Sequence, residues 1–239
     1  MEDNKFIIPT KDTPKPHNDK NVLLEAMKYR YATKKFDPSK IISDEDFQTI
    51  LESARLSPTS FGLEPWKILV IQNKDIRNEM MPHAWGAKAG LEGASHFVVF
   101  LTRNKEDITF GSPYMDHMLK EVHELPDESY QFYSKAYTAF ATEHMHTLDS
   151  ERTAHDWTAR QAYIVMANMM VMAAYMGIDS CALEGYEPEP MKKILADERK
   201  LYDPAHYDIA VMAAFGYRAE VPHRDKSRRP LSESVEWVK

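Results

Sequence analysis

Two pairs of basic residues, one near each end of the chain, have the types and spacing of a phosphate-binding site. Arg30 and Lys34 flank the small Ala32, and in an extended segment all three side chains point the same way. Lys226 and Arg228 repeat the alternate spacing near the carboxyl end. Arginine binds a phosphate through two parallel hydrogen bonds, whereas lysine acts as a point charge. Four such cations suit a small dianion such as a phosphate monoester, although solvated charged surfaces have the same spacing.

Two further segments combine residue types that are typical of ligand contacts. Residues 57–66 (SPTSFGLEPW) connect a helix to a strand and mix turn residues with large apolar side chains, which suits a loop packed against a flat, partly apolar surface. Residues 183–186 (LEGY) follow a strand, and Gly185 permits a close approach of the backbone to a ligand. An ordinary connection and a strand-ending turn remain the alternatives for these two segments.

The sequence motifs of several other chemistries are absent. The eight glycines form neither the dinucleotide fingerprint G-x-G-x-x-G nor a phosphate loop, and neither G-x-S-x-G nor H-E-x-x-H occurs. His144 and His146 are two residues apart and would not share one face of a helix, so we expect no metal site. The single cysteine, Cys181, excludes a disulfide framework, and its apolar neighbours predict a small core residue.

Composition limits the class of partner. The chain has 239 residues, and 30 Lys and Arg against 37 Asp and Glu give a net charge of −7. No basic excess is left to neutralise nucleic-acid phosphates. The start of the chain lacks a signal-peptide pattern, and the longest apolar run, 162–176, is shorter than the ~20 residues that cross a bilayer. We therefore expect a cytoplasmic protein that binds neither nucleic acid nor membranes.

The hydrophobic pattern predicts an α+β protein with a small central sheet. Strands are predicted at 67–72, 96–102, 180–183 and 208–216. Helices are predicted at 22–29, 43–56, 75–83, 113–123, 127–145, 157–176 and 190–201. Residues 1–20 are polar and contain prolines, which predicts a flexible arm before a single domain over residues 21–239.

The segment 157–176 is apolar on nearly every face, so we expect this helix to be buried on all sides. We do not expect a single subunit of this size to cover every face of this helix. An interface in a homodimer is the natural cover, because obligate interfaces resemble a protein core.

Six segments together resemble the FMN-dependent nitroreductase family, specifically the oxygen-insensitive NAD(P)H nitroreductases of bacteria. They are RYATK at 30–34, SPTSFGLEPW at 57–66, ASH at 94–96, WTARQAYI at 157–164, GIDSCALEGY at 177–186 and DKSRRP at 225–230. Each motif is weak, but six in the family's order, over most of the chain, are specific. The resemblance implies an α+β sandwich with a central mixed or antiparallel sheet and flanking helices. It also implies an intertwined homodimer with two FMN sites at its interface.

The resemblance further implies which residues contact the FMN phosphate and ribityl chain. These are Arg30, Tyr31, Ala32, Lys34, Gln161, Lys226 and Arg228. The family commonly has serine where Ala32 stands, so one hydroxyl contact is missing here. Pro58, Thr59 and Ser60 resemble the stretch that reaches the flavin of the other subunit.

For the isoalloxazine ring, the resemblance implies contacts from Leu183, Glu184 and Gly185, with the backbone N–H of Glu184 donating to flavin N5. Lys88, before the ASH strand, is the candidate for the flavin O2 edge, where a positive charge would stabilise anionic reduced flavin.

The function implied is reduction of nitroaromatics, quinones or related small-molecule acceptors, with NADH or NADPH as the co-substrate. Hydride would pass through flavin N5 in ping-pong order, because FMN carries the redox chemistry and the protein places the reactants. No side-chain acid or base is required, so no catalytic side chain is assigned. The alternatives are a flavin or pteridine reductase on the same scaffold and a flavin-binding protein without turnover.

Overall fold

A four-stranded antiparallel sheet with helices on both faces forms the centre of the molecule. The computed structural model describes residues 19–239. The strands are β1 (Trp66–Ile71), β2 (His96–Arg103), β3 (Asp179–Leu183) and β4 (Tyr207–Gly216). Their order across the sheet is β1-β2-β4-β3, and every neighbouring pair is antiparallel. The predicted α+β class and all four predicted strands are confirmed, with ends that differ by one residue.

Eight α-helices surround this sheet in the described residues. They are α1 (Lys20–Tyr29), α2 (Asp44–Arg55), α3 (Lys74–Met80), α4 (Lys88–Gly93), α5 (Pro113–Asp116), α6 (Asp127–Ala139), α7 (Glu151–Tyr175) and α8 (Pro188–Lys192). Wider π-helical turns extend α5, α6 and α8 at His117–Val122, Phe140–His144 and Lys193–Glu198. Short 3₁₀ turns occur at Ser60–Gly62, Met81–His83 and Leu231–Glu233.

Three predicted helix starts are wrong. Helix α1 begins at Lys20, two residues before the predicted start. Helix α7 begins six residues before Trp157, because Ser150 and Thr153 form a capping box in which each side chain accepts from the backbone N–H of the other. Helix α8 begins at Pro188 and not at Pro190. The short α4 was not predicted, since six residues carry too little periodicity for a helix to be recognised.

The predicted arm at residues 1–20 lies outside the described residues, apart from Asp19 and Lys20. The carboxylate of Asp19 caps α1 by accepting from the backbone N–H of Asn21, and Lys20 is the first residue of that helix. The division into an arm and a single domain stays a prediction.

Alternate residues of β2 and β4 point into two separate apolar layers. Phe97, Val99 and Met212 pack with α3, α4 and α8, whereas Phe100 and Phe215 pack with α2 and α7. A third cluster, formed mainly by α5, α6 and the first turns of α7, lies beside the sheet, and Tyr137 is fully buried in it. The period-two alternation of the strands therefore sets which helices lie on each face.

The prediction that helix α7 is buried on all sides is wrong for the single chain. Met169 is fully buried, but Ile164 is 41% exposed and Tyr175 is 59% exposed. These two residues belong to one solvent-facing stripe that also includes Arg160, Ala167 and Asn168. The stripe follows the helical period, so one subunit covers the rest of the helix and leaves this face open.

The segment that follows α1 and the segment that follows β4 meet at β3. Ala32 forms a parallel bridge with Ser180 on the outer edge of that strand. At the start of β3, buried Asp179 accepts from Arg218: the backbone N–H donates at 2.8 Å and Nε donates to Oδ1 at 2.9 Å. The Arg218 guanidinium also lies 4.7 Å from the centre of the Tyr29 ring. These contacts hold residues 30–34 and the chain after β4 against one strand.

We expect His96 to make the protein less stable in mild acid. Burial, supplemented by Arg77 and opposed by Asp44, lowers the pKa of His96 to about 4. An unfolded histidine has a pKa near ~6.5, so the unfolded state binds more protons between pH ~6.5 and ~4. Stability should therefore fall by about 3 kcal/mol as the pH drops through this window.

Urea denaturation at pH 7 and pH 4.5 measures this effect. His96→Gln should remove most of the dependence, whereas His223→Gln, at an exposed position, should leave it unchanged. An equal pH dependence in His96→Gln and the parent would show that another group is responsible.

Candidate functional site

The predicted pairs of cations line one cleft. Arg30 and Lys34 form one side together with Tyr31 and Ala32, and residues 224–228 form the other. The cleft has a volume of about 240 Å³. The two pairs of cations, which are far apart in the sequence, therefore lie in a single cleft in the fold.

This cleft concentrates positive charge. Its cations are Arg30, Lys34, Arg224, Lys226 and Arg228, against one carboxylate, Asp225. Within residues 19–239, none of the five cations forms an ion pair. Burial and the neighbouring Arg30 and Arg228 lower the pKa of Lys226. Like charges held together in this way are stabilised by an anion, and a phosphate can satisfy several of them at once.

Hydrogen bonds hold two of these cations in place. Lys226 Nζ donates to the carbonyl oxygens of Met27 at 2.7 Å and Lys28 at 2.9 Å, and so caps the last turn of α1. Lys34 Nζ lies 4.0 Å from Sγ of Cys181 in β3. Cys181 is buried, as the sequence predicts, and burial raises the pKa of its thiol. The thiol is therefore a neutral packing group of the apolar core.

The outer edge of β3 connects the cleft to the predicted ring segment. Ala32 pairs with Ser180, and Leu183–Gly185 lie at the far end of the same strand. A strand rises ~3.3 Å per residue, so Ser180 and Glu184 are about 13 Å apart along it. An extended phosphorylated molecule could lie along this edge with its phosphate at the cations.

The close backbone approach predicted at Gly185 occurs, but its partner is another glycine. Gly86 donates its N–H to the Gly185 carbonyl oxygen at 2.7 Å. A Cβ atom on Gly185 would lie 2.5 Å from the Gly86 Cα, a distance that no side chain can occupy. Lys88, two residues after Gly86, is exposed at the first turn of α4. The fold therefore brings the segment of Lys88 beside the end of β3.

Glu184 is held from the opposite side by the core helix. The phenol of Tyr163, in α7, donates to the Glu184 carboxylate. Burial raises the pKa of Tyr163, and Glu184 and Tyr186 raise it further, so the phenol remains a donor. Tyr163 lies in the segment 157–164 that carries the family resemblance. Its contact with Glu184 could not be identified from the sequence, because the two residues are 21 positions apart.

Gln161 fixes the loop that contains Pro58, Thr59 and Ser60. Its Oε1 accepts from the backbone N–H of Ser60 at 2.8 Å, and its Nε2 donates to the Trp157 carbonyl oxygen at 3.1 Å. Gln161 is only 4% exposed. Within one subunit, this side chain therefore positions the loop.

Aromatic residues from α5 and α6 complete the support of this loop. Tyr114 donates to the carbonyl oxygens of Leu63 and Glu64, and Tyr133 donates to that of Phe61. Phe61 and Glu64 have φ values of 57° and 46°, which are uncommon for residues with a side chain. The surrounding hydrogen bonds hold this strained backbone, as is typical of ligand-binding loops. Neither tyrosine could be identified from the sequence, because neither lies in a motif.

The described residues include no group of three or more His, Cys, Asp or Glu side chains placed to hold a metal ion. No helix among residues 19–239 has the length and apolar character needed to span a bilayer.

The fold is that of an α+β protein, and the cation-lined cleft at the edge of its sheet suits a phosphorylated small molecule. Comparison with known proteins identifies the family. Residues 27–217 match the nitroreductase family, and the chain belongs to it. The chain is 44% identical over 219 residues to the Bacillus subtilis protein named "Putative NAD(P)H nitroreductase YfkO", a match that covers 92% of this chain and 98% of that protein. The predicted family resemblance is confirmed.

Solved structures show the same fold at low sequence identity. A nitroreductase-like protein from Streptococcus mutans has a TM-score of 0.74 at 15% identity, covering 92% of this chain and 99% of that one. A "putative nitroreductase in complex with FMN" from Exiguobacterium sibiricum has a TM-score of 0.71 at 19% identity, covering 95% of this chain and 100% of that one.

Proposed function

We propose that this protein is an FMN-dependent NAD(P)H oxidoreductase that reduces nitroaromatics, quinones or related small-molecule acceptors. The cation-lined cleft at the edge of β3 is the observation that carries the proposal. Membership of the nitroreductase family, and the name and bound ligand of the relatives above, support it. The cytoplasmic location stays a prediction.

The residues of the cleft fit the terminal phosphate of FMN. A phosphate monoester carries close to two negative charges at neutral pH. The cleft groups five cations, and four of them, Arg30, Lys34, Lys226 and Arg228, are the predicted phosphate contacts. Tyr31 and Ala32 line the same space, and the small, exposed Ala32 leaves room for a ligand against the backbone.

The end of β3 would border the isoalloxazine ring. Leu183, Glu184 and Gly185 would supply this border, with the Glu184 backbone N–H as donor, and Lys88 would lie at the O2 edge. When bound, FMN supplies the capacity to accept a hydride from a nicotinamide and to deliver it to an acceptor.

The protein's own contribution is placement. The cations bind and orient the phosphate, and the Gly86–Gly185 contact fixes the backbone at the other end of β3. The rigid loop at Pro58, Thr59 and Ser60, held by Gln161, would form a wall that excludes water. None of these tasks needs a side-chain acid or base.

The protein would act as a homodimer. The open stripe of α7 exposes the large apolar side chains of Ile164 and Tyr175, and exposed apolar groups on one face of a helix mark interfaces. In such a dimer, Pro58–Ser60 of one subunit would complete the flavin site of the other, and Gln161 would serve that site through the loop.

A flavin or pteridine reductase and an inert flavin-binding protein are the alternatives. Anaerobic addition of NADH or NADPH to the FMN-loaded protein separates the inert binder from the enzymes. We expect the visible flavin absorbance to bleach and then to recover when a nitroaromatic or quinone is added. Protein that stays yellow with both nicotinamides would contradict the proposed function. Bleaching followed by recovery only with free flavin or a pteridine would support the reductase alternative.

The cation cleft should discriminate between phosphorylated and unphosphorylated flavins. Arg30→Ala should weaken FMN by ten- to a hundredfold and riboflavin by less than twofold, because a charged hydrogen bond to phosphate is worth about 1.5–3 kcal/mol. Fluorescence titration measures both ligands. Lys67→Ala, on β1 and outside the cleft, is a matched control that should change neither affinity.

Lys226→Ala should give the same pattern, but Lys226 also caps α1. Thermal unfolding of the apo form separates the two roles.

Equal losses of affinity for FMN and for riboflavin in Arg30→Ala would show that the cleft does not hold the phosphate.

Dimer formation should be sensitive to charge on the open stripe of α7. Ile164→Lys should give a folded monomer that has lost FMN, because a ligand that binds only the dimer is linked to assembly. Met169→Lys should instead unfold the subunit, since it places an unpaired charge in the core. Sedimentation velocity, followed at protein and flavin wavelengths, distinguishes these outcomes. A folded Ile164→Lys monomer that retains FMN would rule out the shared site.

A further inference from the structure

The hydrogen bond from Tyr163 to Glu184 joins the core helix α7 to the end of β3. It is the one hydrogen bond that the Glu184 side chain makes within residues 19–239, and Glu184 forms no ion pair there. The orientation of this exposed carboxylate therefore depends on a single phenol.

The phenol is available as a donor throughout the physiological pH range. Burial raises the pKa of Tyr163, and the nearby Glu184 and Tyr186 add to the effect. Tyr163 also lines a cleft of about 630 Å³ between α7 and β4, together with Arg160 and Ala210. The Tyr163–Glu184 pair thus lies where this cleft meets the end of β3.

The position of Glu184 creates an electrostatic difficulty. In the proposed function, its backbone N–H contacts the ring of FMN, so its carboxylate is a negative charge close to a ligand that gains negative charge on reduction. Repulsion between two negative charges grows as water is excluded. A hydrogen bond from Tyr163 withdraws charge from the carboxylate and holds it on the α7 side of the sheet.

We propose that Tyr163 is a positioning residue which, through the Glu184 carboxylate, strengthens the binding of reduced FMN relative to oxidised FMN. This proposal rests on the proposed function, because it requires FMN to bind along β3. It assigns a role in setting the reduction potential to a tyrosine that touches the cofactor only through another side chain.

Tyr163→Phe tests the proposal by removing the hydroxyl and little else. The binding of reduced FMN should weaken about tenfold more than that of oxidised FMN. A tenfold change corresponds to a shift of about −30 mV for a two-electron couple. Oxidised-FMN titration and dye-equilibrated reduction of the holoprotein measure the two quantities, and thermal unfolding of the apo form should change by little.

Two further variants show whether Tyr163 acts through Glu184. Tyr202→Phe removes a buried phenol that has no hydrogen-bond partner among the described residues, and it should leave the potential unchanged. Glu184→Gln removes the charge, so adding Tyr163→Phe to it should shift the potential by much less than in the parent. Additive shifts would overturn the proposed route through the carboxylate.

The outcomes also separate this proposal from the proposed function. If the parent protein binds no FMN, the proposed function itself fails. If the parent binds FMN but Tyr163→Phe has the same potential, only the role of Tyr163 is overturned. A Tyr163→Phe protein that loses thermal stability and keeps the parental potential would indicate a purely structural hydrogen bond.

Discussion

The outer edge of β3 is the constraint on which the candidate site depends. β3 pairs with β4 on one side only, so its other side presents backbone groups that need partners. Residues 30–34 meet this need near the start of the strand: Ala32 bridges Ser180, and the backbone N–H of Thr33 donates to the Ser180 carbonyl oxygen at 3.4 Å. Because a strand rises by a constant distance per residue, the cations of residues 30–34 and Glu184 lie at fixed positions along one edge.

A buried ion pair sets the path of the chain toward residues 224–228, which form the second side of the cleft. Asp179 is only 3% exposed, and its charge is compensated by Arg218, the second residue after β4. A buried carboxylate without a partner would be strongly destabilising, so this pair fixes the direction of the chain beyond β4. Lys226 then reaches the end of α1. Cations from residues 30–34 and 224–228 are thereby brought into one cleft. Asp225 is the single carboxylate among the residues that line it, so most of the positive charge is not neutralised.

Rigid support surrounds this edge. The loop at Ser60 is fixed by Gln161, and the ends of β3 and α4 are joined through Gly86 and Gly185. Tyr163 holds the Glu184 carboxylate from the core helix. Elements supported in this way need little rearrangement on binding, which reduces the entropic cost of placing a cofactor and a substrate together.

The sequence by itself determined the class of the fold, the four strands, the family and the pairs of cations. These depend on local periodicity, side-chain type and short spacings, all of which are visible along the chain. It could not determine that α7 keeps one open stripe at Ile164, or that Gly185 packs on Gly86. Nor could it identify the Tyr163–Glu184 bond or the support that Gln161 gives to Ser60. Only the tertiary structure decided these features, because each depends on how segments that are distant in the sequence pack together, and local patterns do not record that packing.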